Sequence, residues 1–172
     1  MEISEAQEKF VRRWGEMGVR WGIGRSTALI HGLLYVAGDA MTAEEMSEAL
    51  GIARSNISTG LKELEGYGLV YKESRSGDRK TYYTAEGDVW EIARRILEER
   101  RRRETQGAVR AVEDCLSEAE ATGDKKTAKK MRAMKELLDA AENFAKASQK
   151  YPTSVFRQAL KMGSKVLHWI SQ

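Results

Sequence analysis

The sequence predicts a mainly α-helical protein with one small β-hairpin, and three observations carry that prediction. Apolar residues recur at three- and four-residue spacing along most of the chain. A single proline, Pro152, leaves long helices uninterrupted. Two short runs rich in aromatic and β-branched residues, 69–73 and 80–84, flank a turn-rich stretch and read as a hairpin.

The first helix is expected from Ile3 to about Trp21, with Ile3, Phe10, Trp14, Met17 and Trp21 forming its apolar stripe. Gly22-Ile23-Gly24 interrupts it, and Ser26 is placed to cap a second helix, 27–37. That helix is apolar nearly all round through Ala28, Leu29, Ile30, Leu33, Leu34 and Val36, so it should be central and buried, with His31 a core or interface residue. Gly38-Asp39 ends it. Thr42 followed by Glu45 is a capping box that opens a third helix, whose apolar face is Met46, Ala49 and Leu50. Gly51 suits the left-handed conformation after a helix, and Ile52 follows as an apolar plug. Ser55 is expected to cap a fourth helix, to about Tyr67, with Ile57, Leu61 and Leu64 facing inward and Gly68 closing it. The hairpin follows.

From Glu86 the chain reads as helical. One long helix is expected over 86–121, with apolar residues at its two ends: Trp90, Ala93, Ile96 and Leu97, then Val109, Val112, Cys115 and Leu116. Between them, 98–106 is polar throughout, and Arg100–Arg103 should be a solvated connector paired with Glu98, Glu99 and Glu104. Cys115 falls beside Val112 and Leu116, which predicts buried packing for it. A further helix, 125–148, carries Met131, Met134, Leu137, Leu138, Ala141 and Phe144. After the turn Tyr151-Pro152-Thr153 a last helix is expected over 154–170, including Phe156, Leu160 and Leu167. The organisation is then an N-terminal helix (1–25), a central unit (26–86) and a C-terminal helical region (87–172).

Composition bounds the function. At 172 residues the chain is one domain, or one domain with an appendage. The uncharged run 26–38 is too short for a membrane span of about 20 residues, and the first residues lack the apolar stretch of a signal peptide. A single cysteine excludes an intramolecular disulfide framework. A soluble protein of a reducing cytoplasm is the expectation, with no membrane partner. No metal or cofactor is expected, because His31 and His168 are the only histidines and no Cys-x-x-Cys is present. No base-and-nucleophile arrangement points to an enzyme. The net charge is +3, but residues 1–100 hold 14 Lys/Arg against 17 Asp/Glu and residues 101–172 hold 15 against 9. Neither half proves a polyanionic partner, so local placement has to carry that argument.

The order helix, tight turn, helix, hairpin across 26–84 is a winged helix-turn-helix, a mainly α unit with a small β-hairpin wing, flanked here by N- and C-terminal helices suited to dimerisation. In such a unit the second helix of the pair enters the major groove of double-stranded DNA by its N-terminal residues. Those residues are Arg54, Ser55, Asn56, Ser58 and Thr59, followed by Lys62; Thr42, at the start of the preceding helix, joins them as a candidate contact. Asn pairs bidentately with adenine, Arg with guanine, and Ser or Thr with base or phosphate. Each residue alone fits an ordinary solvated surface. The set favours DNA, because no carboxylate occurs before Glu63. Arg75, Arg79 and Lys80 at the hairpin tip can grip the flanking backbone, with Asp78 orienting Arg79; a plain solvated loop is the competing reading.

The stretches GRSTALIHGLLYVA, TAEEMSEALGIARSNISTGLKELEGYGLV and SGDRKTYY resemble the MarR superfamily of bacterial and archaeal regulators, and within it the GbsR-like branch. The resemblance covers about residues 10–97. It implies a homodimeric transcription factor on a pseudo-palindromic operator, often a repressor, with some members responding to choline or glycine betaine. The segment from Asp78 to Glu86 is shorter than the corresponding part of an ordinary MarR wing. A dimer would double the base contacts of one recognition helix. The candidate interface is Ile3, Phe10 and Trp14 with Phe144, Phe156, Leu160 and Leu167, against packing of the same faces within one subunit. Trp14, Trp21 and Trp90 are candidates for an effector site that holds a quaternary ammonium compound by cation–π attraction, against a plain core role. The alternative function is a winged-helix protein-interaction module without DNA binding.

Overall fold

The computed structural model describes residues 3–158 and 162. The elements run α1 (Glu5–Arg20), α2 (Arg25–Ala37), β1 (Met41–Thr42), α3 (Ala43–Leu50), α4 (Arg54–Gly66), β2 (Val70–Ser74), β3 (Thr81–Ala85), α5 (Val89–Ala121) and α6 (Lys125–Gln149). They fall into two compact units, 1–96 and 97–172. The N-terminal helix thus belongs to the same unit as the helix-turn-helix. Among the described residues no helix is long and apolar enough to cross a membrane.

In the first unit α1 opens with a capping box: Gln7 N–H donates to Ser4 Oγ (3.3 Å), and Ser4 N–H donates to Gln7 Oε1 (2.8 Å). Its inward face is not the aromatic stripe but Val11, Gly15 and Gly18, all buried. Glycine is placed there for closeness of approach. A Cβ on Gly18 would lie 2.3 Å from Cβ of Ala28, and one on Gly15 would lie 2.7 Å from Leu29 Cδ2. Phe10 and Trp14 are pushed to the half-buried rim, and Met17 and Trp21 to the surface. A hydrophobicity pattern ranks aromatics above glycine and so misplaces the face.

Helix α2 is the buried centre: Ile30, Leu33 and Leu34 are at most 2% exposed. It begins at Arg25 behind Gly24, without a side-chain cap, so Ser26 sits inside the first turn and does not cap. The capping box of α3 is present, with Glu45 N–H on Thr42 Oγ1 (3.3 Å) and Thr42 N–H on Glu45 Oε2 (2.7 Å). Gly51 follows in the left-handed region at φ 62°, and Ser47 Oγ–H donates to the Ile52 carbonyl (2.7 Å), which fixes the tight turn. Helix α4 starts one residue before Ser55, with Ala53 at the cap and no side-chain bond there. Ser55 is therefore a helical residue and not the cap. Ile57, Leu61 and Leu64 point inward as expected. Gly60 seats α4 on α2, since a Cβ there would lie 2.6 Å from Ile30 Cδ1.

The hairpin is the antiparallel pair β2–β3, in register Ser74↔Thr81, and β1 adds a third strand in the order β1-β3-β2 through Met41↔Tyr83 and Thr42↔Tyr82. Two residues carry no readable alternation, so β1 has no sequence signal. Helix α5 begins three residues later than expected. Glu86 and Asp88 organise a turn instead: Asp88 N–H donates to Glu86 Oε1 (3.0 Å) and Trp90 N–H to Asp88 Oδ1 (2.9 Å). Ile92 enters the core at 3% exposed, and Leu97 is exposed.

In the second unit the rest of α5 and α6 form an antiparallel pair about the turn at Gly123. Ion pairs run across it in opposite chain order: Glu120 with Arg132 (2.6 Å), Glu113 with Lys135 (3.0 Å) and Glu142 with Arg101. Ala119 and Ala128 are buried near the turn. Asp124 caps α6, accepting from Lys126 and Thr127 N–H at 3.1 and 3.0 Å. Cys115 is exposed, contrary to expectation. The half-buried positions are 109, 112 and 116, followed by buried Ala119, and Cys115 lies beside that row. Arg100 pairs with Glu104 (2.8 Å), and Arg102 and Arg103 pair with Glu99 (2.8 Å each), as a locally neutralised connector would. Residues 153–158 are helical; Leu160 and Leu167 lie outside the described residues.

The glycine contacts give a test. In an isolated helix Gly18→Ala would gain up to about 1 kcal/mol. Against Ala28, whose Cβ is fixed to backbone, it should instead destabilise by about 1–3 kcal/mol. Urea unfolding should show a lower midpoint, partly restored when Ala28→Gly is added; a raised midpoint for Gly18→Ala alone would refute the close packing.

Candidate nucleic-acid interface

Helix α4 divides its residues cleanly. Ile57, Gly60, Leu61 and Leu64 are buried, while Arg54, Ser55, Asn56, Ser58, Thr59 and Lys62 are exposed. The expected contacts on this helix therefore share one outward surface at its N-terminal half. Arg54 pairs with Glu44 of α3. Thr59 Oγ1–H donates back to the Ser55 carbonyl (3.0 Å). Thr42 does not join this surface: it is 6% exposed, and its hydroxyl is committed to Glu45.

The helix is held in place from behind. Thr27 Oγ1–H on α2 donates to Glu63 Oε2 (2.7 Å), and Tyr67 Oη–H donates to Glu63 Oε1 (2.5 Å). Glu63 marked the end of the polar face in the sequence, but its role as an anchor to α2 had no sequence signal.

The wing presents Arg75, Arg79 and Lys80, all exposed. The Arg75 guanidinium lies over the Tyr82 ring, 3.9 Å from its centroid. Asp78 does not orient Arg79. It accepts from Lys80 N–H (2.9 Å) and Tyr82 Oη–H (2.7 Å), and these bonds hold its carboxyl below the usual range and push the Tyr82 phenol up. The tip is thus a preset loop in which Asp78 serves the backbone and leaves three cations outward. Through Thr42↔Tyr82 the wing also pairs with the strand that caps α3. At its base Arg95 of α5 bonds the Gly68 carbonyl, Tyr71 Oη (2.6 Å) and Glu91 (2.6 Å), and Tyr71 Oη–H donates to Glu86 (2.8 Å). This clasp was missed in the sequence, because its members are distant in the chain and no short motif links them.

A second feature lies between α1 and α2. Trp14 and Trp21 meet edge-on at 5.8 Å, Phe10 stacks on Trp14 at 5.4 Å, and Tyr35 completes the cluster. Trp14, Trp21 and His31 line a small recess with Ile23, Leu64 and Ile96. Trp90 lies apart from it, at the start of α5. Trp14 Nε1–H donates to His31 Nδ1 (3.0 Å), and His31 is 3% exposed, its burial lowering its pKa from 6.5 to about 4. Among the described residues no group of three or more His, Cys, Asp or Glu could hold a metal ion.

A buried three-helix core, a helix α4 with a polar outward face and a preset cationic hairpin define a winged helix-turn-helix. Residues 21–81 match the model of the MarR family. The chain is 30% identical over 116 residues to the HTH-type transcriptional repressor GbsR of Bacillus subtilis (strain 168), covering 67% of this chain and 64% of that protein. It is 26% identical over 89 residues to the HTH-type transcriptional repressor OpcR of the same strain, covering 52% and 48%. The matched stretch thus spans from about half to just under two thirds of those relatives. A crystal structure of a transcriptional regulator shares the fold at a TM-score of 0.63, with 22% identity, over 89% of this chain and 99% of that one. The helix-turn-helix and wing, residues 21–81, match the MarR family, and the chain is similar to the relatives of the GbsR-like branch.

His31 sets a pH dependence. The folded state resists a proton that the unfolded chain accepts, so its contribution is complete above about pH 6.5 and is lost as pH falls toward 4. The full loss is about 3 kcal/mol. In thermal unfolding across that window, His31→Gln should show a shallower fall than the parent; parallel curves would refute the assignment.

Proposed function

We propose that this chain is a sequence-specific DNA-binding transcriptional regulator of the cytoplasm, a homodimeric repressor on a pseudo-palindromic operator, acting by binding and not by catalysis. The observation that carries the reading is the outward face of α4. Six exposed polar residues with no carboxylate among them stand over an apolar underside, at the end of the helix that a winged unit inserts into the major groove. Asn56 and Arg54 would read base edges, Ser55, Ser58, Thr59 and Lys62 would fix register, and Arg75, Arg79 and Lys80 would hold the backbone beside them. Arg54 would exchange Glu44 for a base or phosphate.

Dimerisation is supported by the apolar surface of the second unit, where Met134, Leu137 and Phe144 are exposed, Phe144 at 78%. The spacing of 134, 137 and 144 is that of a helix–helix seam. Phe156 is half-buried just beyond it. Ile3 and Phe10 pack partly within their own unit and would contribute their outer edges, with Trp14. The recess at Trp14 and Trp21 is the candidate effector site, and its aromatic walls suit a quaternary ammonium compound. A bound effector would shift the equilibrium between DNA-competent and incompetent dimers by a few kcal/mol.

The test is fluorescence anisotropy with DNA from upstream of the chain's own gene against a scrambled duplex, at several salt concentrations. A clear preference with affinity falling steeply in salt is expected. Weak binding without preference would instead favour a protein-interaction module, to which the acidic balance of the first 100 residues is suited. Arg79→Ala should weaken all duplexes alike and reduce the salt slope by about one. Asn56→Ala should narrow the gap between operator and scrambled DNA by about 1–3 kcal/mol, and an unchanged gap would mean that α4 is wrongly oriented.

A further inference from the structure

If the wing and α4 are to meet one duplex, the angle between them has to be held. Strand β2 is an outer strand in the order β1-β3-β2, and only Val70 of its five residues is buried. Val70 roots the strand in the core on one face. Tyr71 points to the other face, as successive strand residues do. There it meets Arg95, from the second turn of α5. Arg95 Nη1–H donates to Tyr71 Oη at 2.6 Å and to the Gly68 carbonyl, Nε–H donates to Glu91 Oε1 at 2.6 Å, and Nη2 lies 3.6 Å from Glu86 Oε2. Tyr71 Oη–H in turn donates to Glu86 Oε2 at 2.8 Å. One guanidinium thus joins the exit of α4, the outer strand, the turn after β3 and α5 itself. All three of its nitrogens are engaged, which the point charge of a lysine could not reproduce. A second tie from β2 to α4, Lys72 with Glu65 at 2.9 Å, is a more exposed pair of the kind that contributes little. The wing tip lies about 10 Å or more beyond Tyr71, so a tilt of about 10° at the root moves the tip cations by about 2 Å, more than a hydrogen bond to phosphate tolerates.

We propose that Arg95 is the positioning residue of the wing: it sets the angle at which Arg75, Arg79 and Lys80 are presented beside α4, and so decides how many phosphates the wing holds. The inference rests on the DNA-binding reading above and gives a share of the affinity to a residue that touches no DNA in that reading. Arg95 is half-buried and bonded to the carboxylates of Glu86 and Glu91, so its charge is committed within the protein and is not among the cations offered outward. Its loss therefore acts through the wing and not through a missing contact. Asn56 does not depend on it, since α4 is seated on α2 by Gly60 and tied to it through Glu63 and Thr27. Without Arg95 the backbone grip of the wing weakens, while base discrimination by α4 stays.

The experiment is a double-mutant cycle on the full chain, read by fluorescence anisotropy with the upstream duplex at several salt concentrations. Arg79→Ala alone should weaken binding about tenfold and lower the salt slope by about one. Arg95→Met, which keeps the apolar stem, should also weaken binding about tenfold and lower the slope by about one to three. Adding Arg79→Ala to Arg95→Met should then cost less than about twofold, because the wing no longer delivers that cation. Asn56→Ala should lose as much discrimination in the Arg95→Met background as in the parent. Amide exchange of the free protein gives a readout without DNA: exchange at 70–74 and 81–85 should quicken about tenfold in Arg95→Met, while α2 and α4 keep theirs. Tyr71→Phe, a change at an exposed residue, should show the same pattern at smaller size, and it carries the test if Arg95→Met does not fold. An undiminished Arg79→Ala penalty in these backgrounds, or hairpin exchange equal to the parent's, overturns the role of Arg95, and operator preference in the parent then leaves the DNA reading standing. Loss of the Asn56 effect in Arg95→Met makes Arg95 a general support of the unit and overturns the role as well. A parent without salt-dependent DNA binding overturns the DNA reading and this inference with it.

Discussion

Everything in the first unit depends on how closely other helices approach α2. It is flanked by α1 on one side and α4 on another, and both contacts are made through glycine: Gly15 and Gly18 of α1, Gly60 of α4, and Gly32 of α2 itself facing Trp14. Glycine inside a helix costs up to about 1 kcal/mol relative to alanine. The cost is offset because backbones that approach this closely bury Ile30, Leu33 and Leu34 almost completely and bring more atoms into contact than a wider spacing would allow. The same closeness fixes where α4 lies, and hence where its outward residues point. It also shifts the aromatics of α1 to the rim, where they build the recess around His31.

The helix-turn-helix was largely legible in the sequence, because its signals are local. Thr42 with Glu45, Gly51 in the turn, and Ile57, Leu61 and Leu64 at helical spacing each act over three or four residues. What was illegible depends on long-range choices. The two-residue strand β1 exists only because β3 comes to lie beside it. The anchoring of Glu63 by Thr27 joins residues 36 apart, and the Arg95 clasp joins α5 to a carbonyl 27 residues earlier. The face of α1 was misassigned because steric need, not hydrophobicity, decides it. Cys115 was misassigned by one position, which on a helix amounts to about 100° of rotation.

The candidate site shows the same division. The exposed set on α4 and the cations of the wing could be named from residue type and order. The bonding of Asp78 could not. Proximity in sequence pointed it at Arg79, whereas the hairpin register brings Tyr82 across to it. Nor could the inclusion of Thr42 be tested before its burial was known. A capping residue is chosen for the backbone it satisfies, and the hydroxyl that meets this need has nothing left for a partner outside.

The split face of α4 has a consequence for how such proteins diversify. Asn56, Ser58 and Lys62 lie outside the hydrophobic core, and the inward residues that hold the helix are a separate set. Exchanges on an exposed face of this kind usually change stability by no more than about 0.5 kcal/mol. Inheritance can therefore alter what the helix reads without disturbing the fold that presents it. Duplicated copies of one gene could part company in their targets through a few point changes, each tolerated as it arises, while the glycine-packed interior stays under tight constraint.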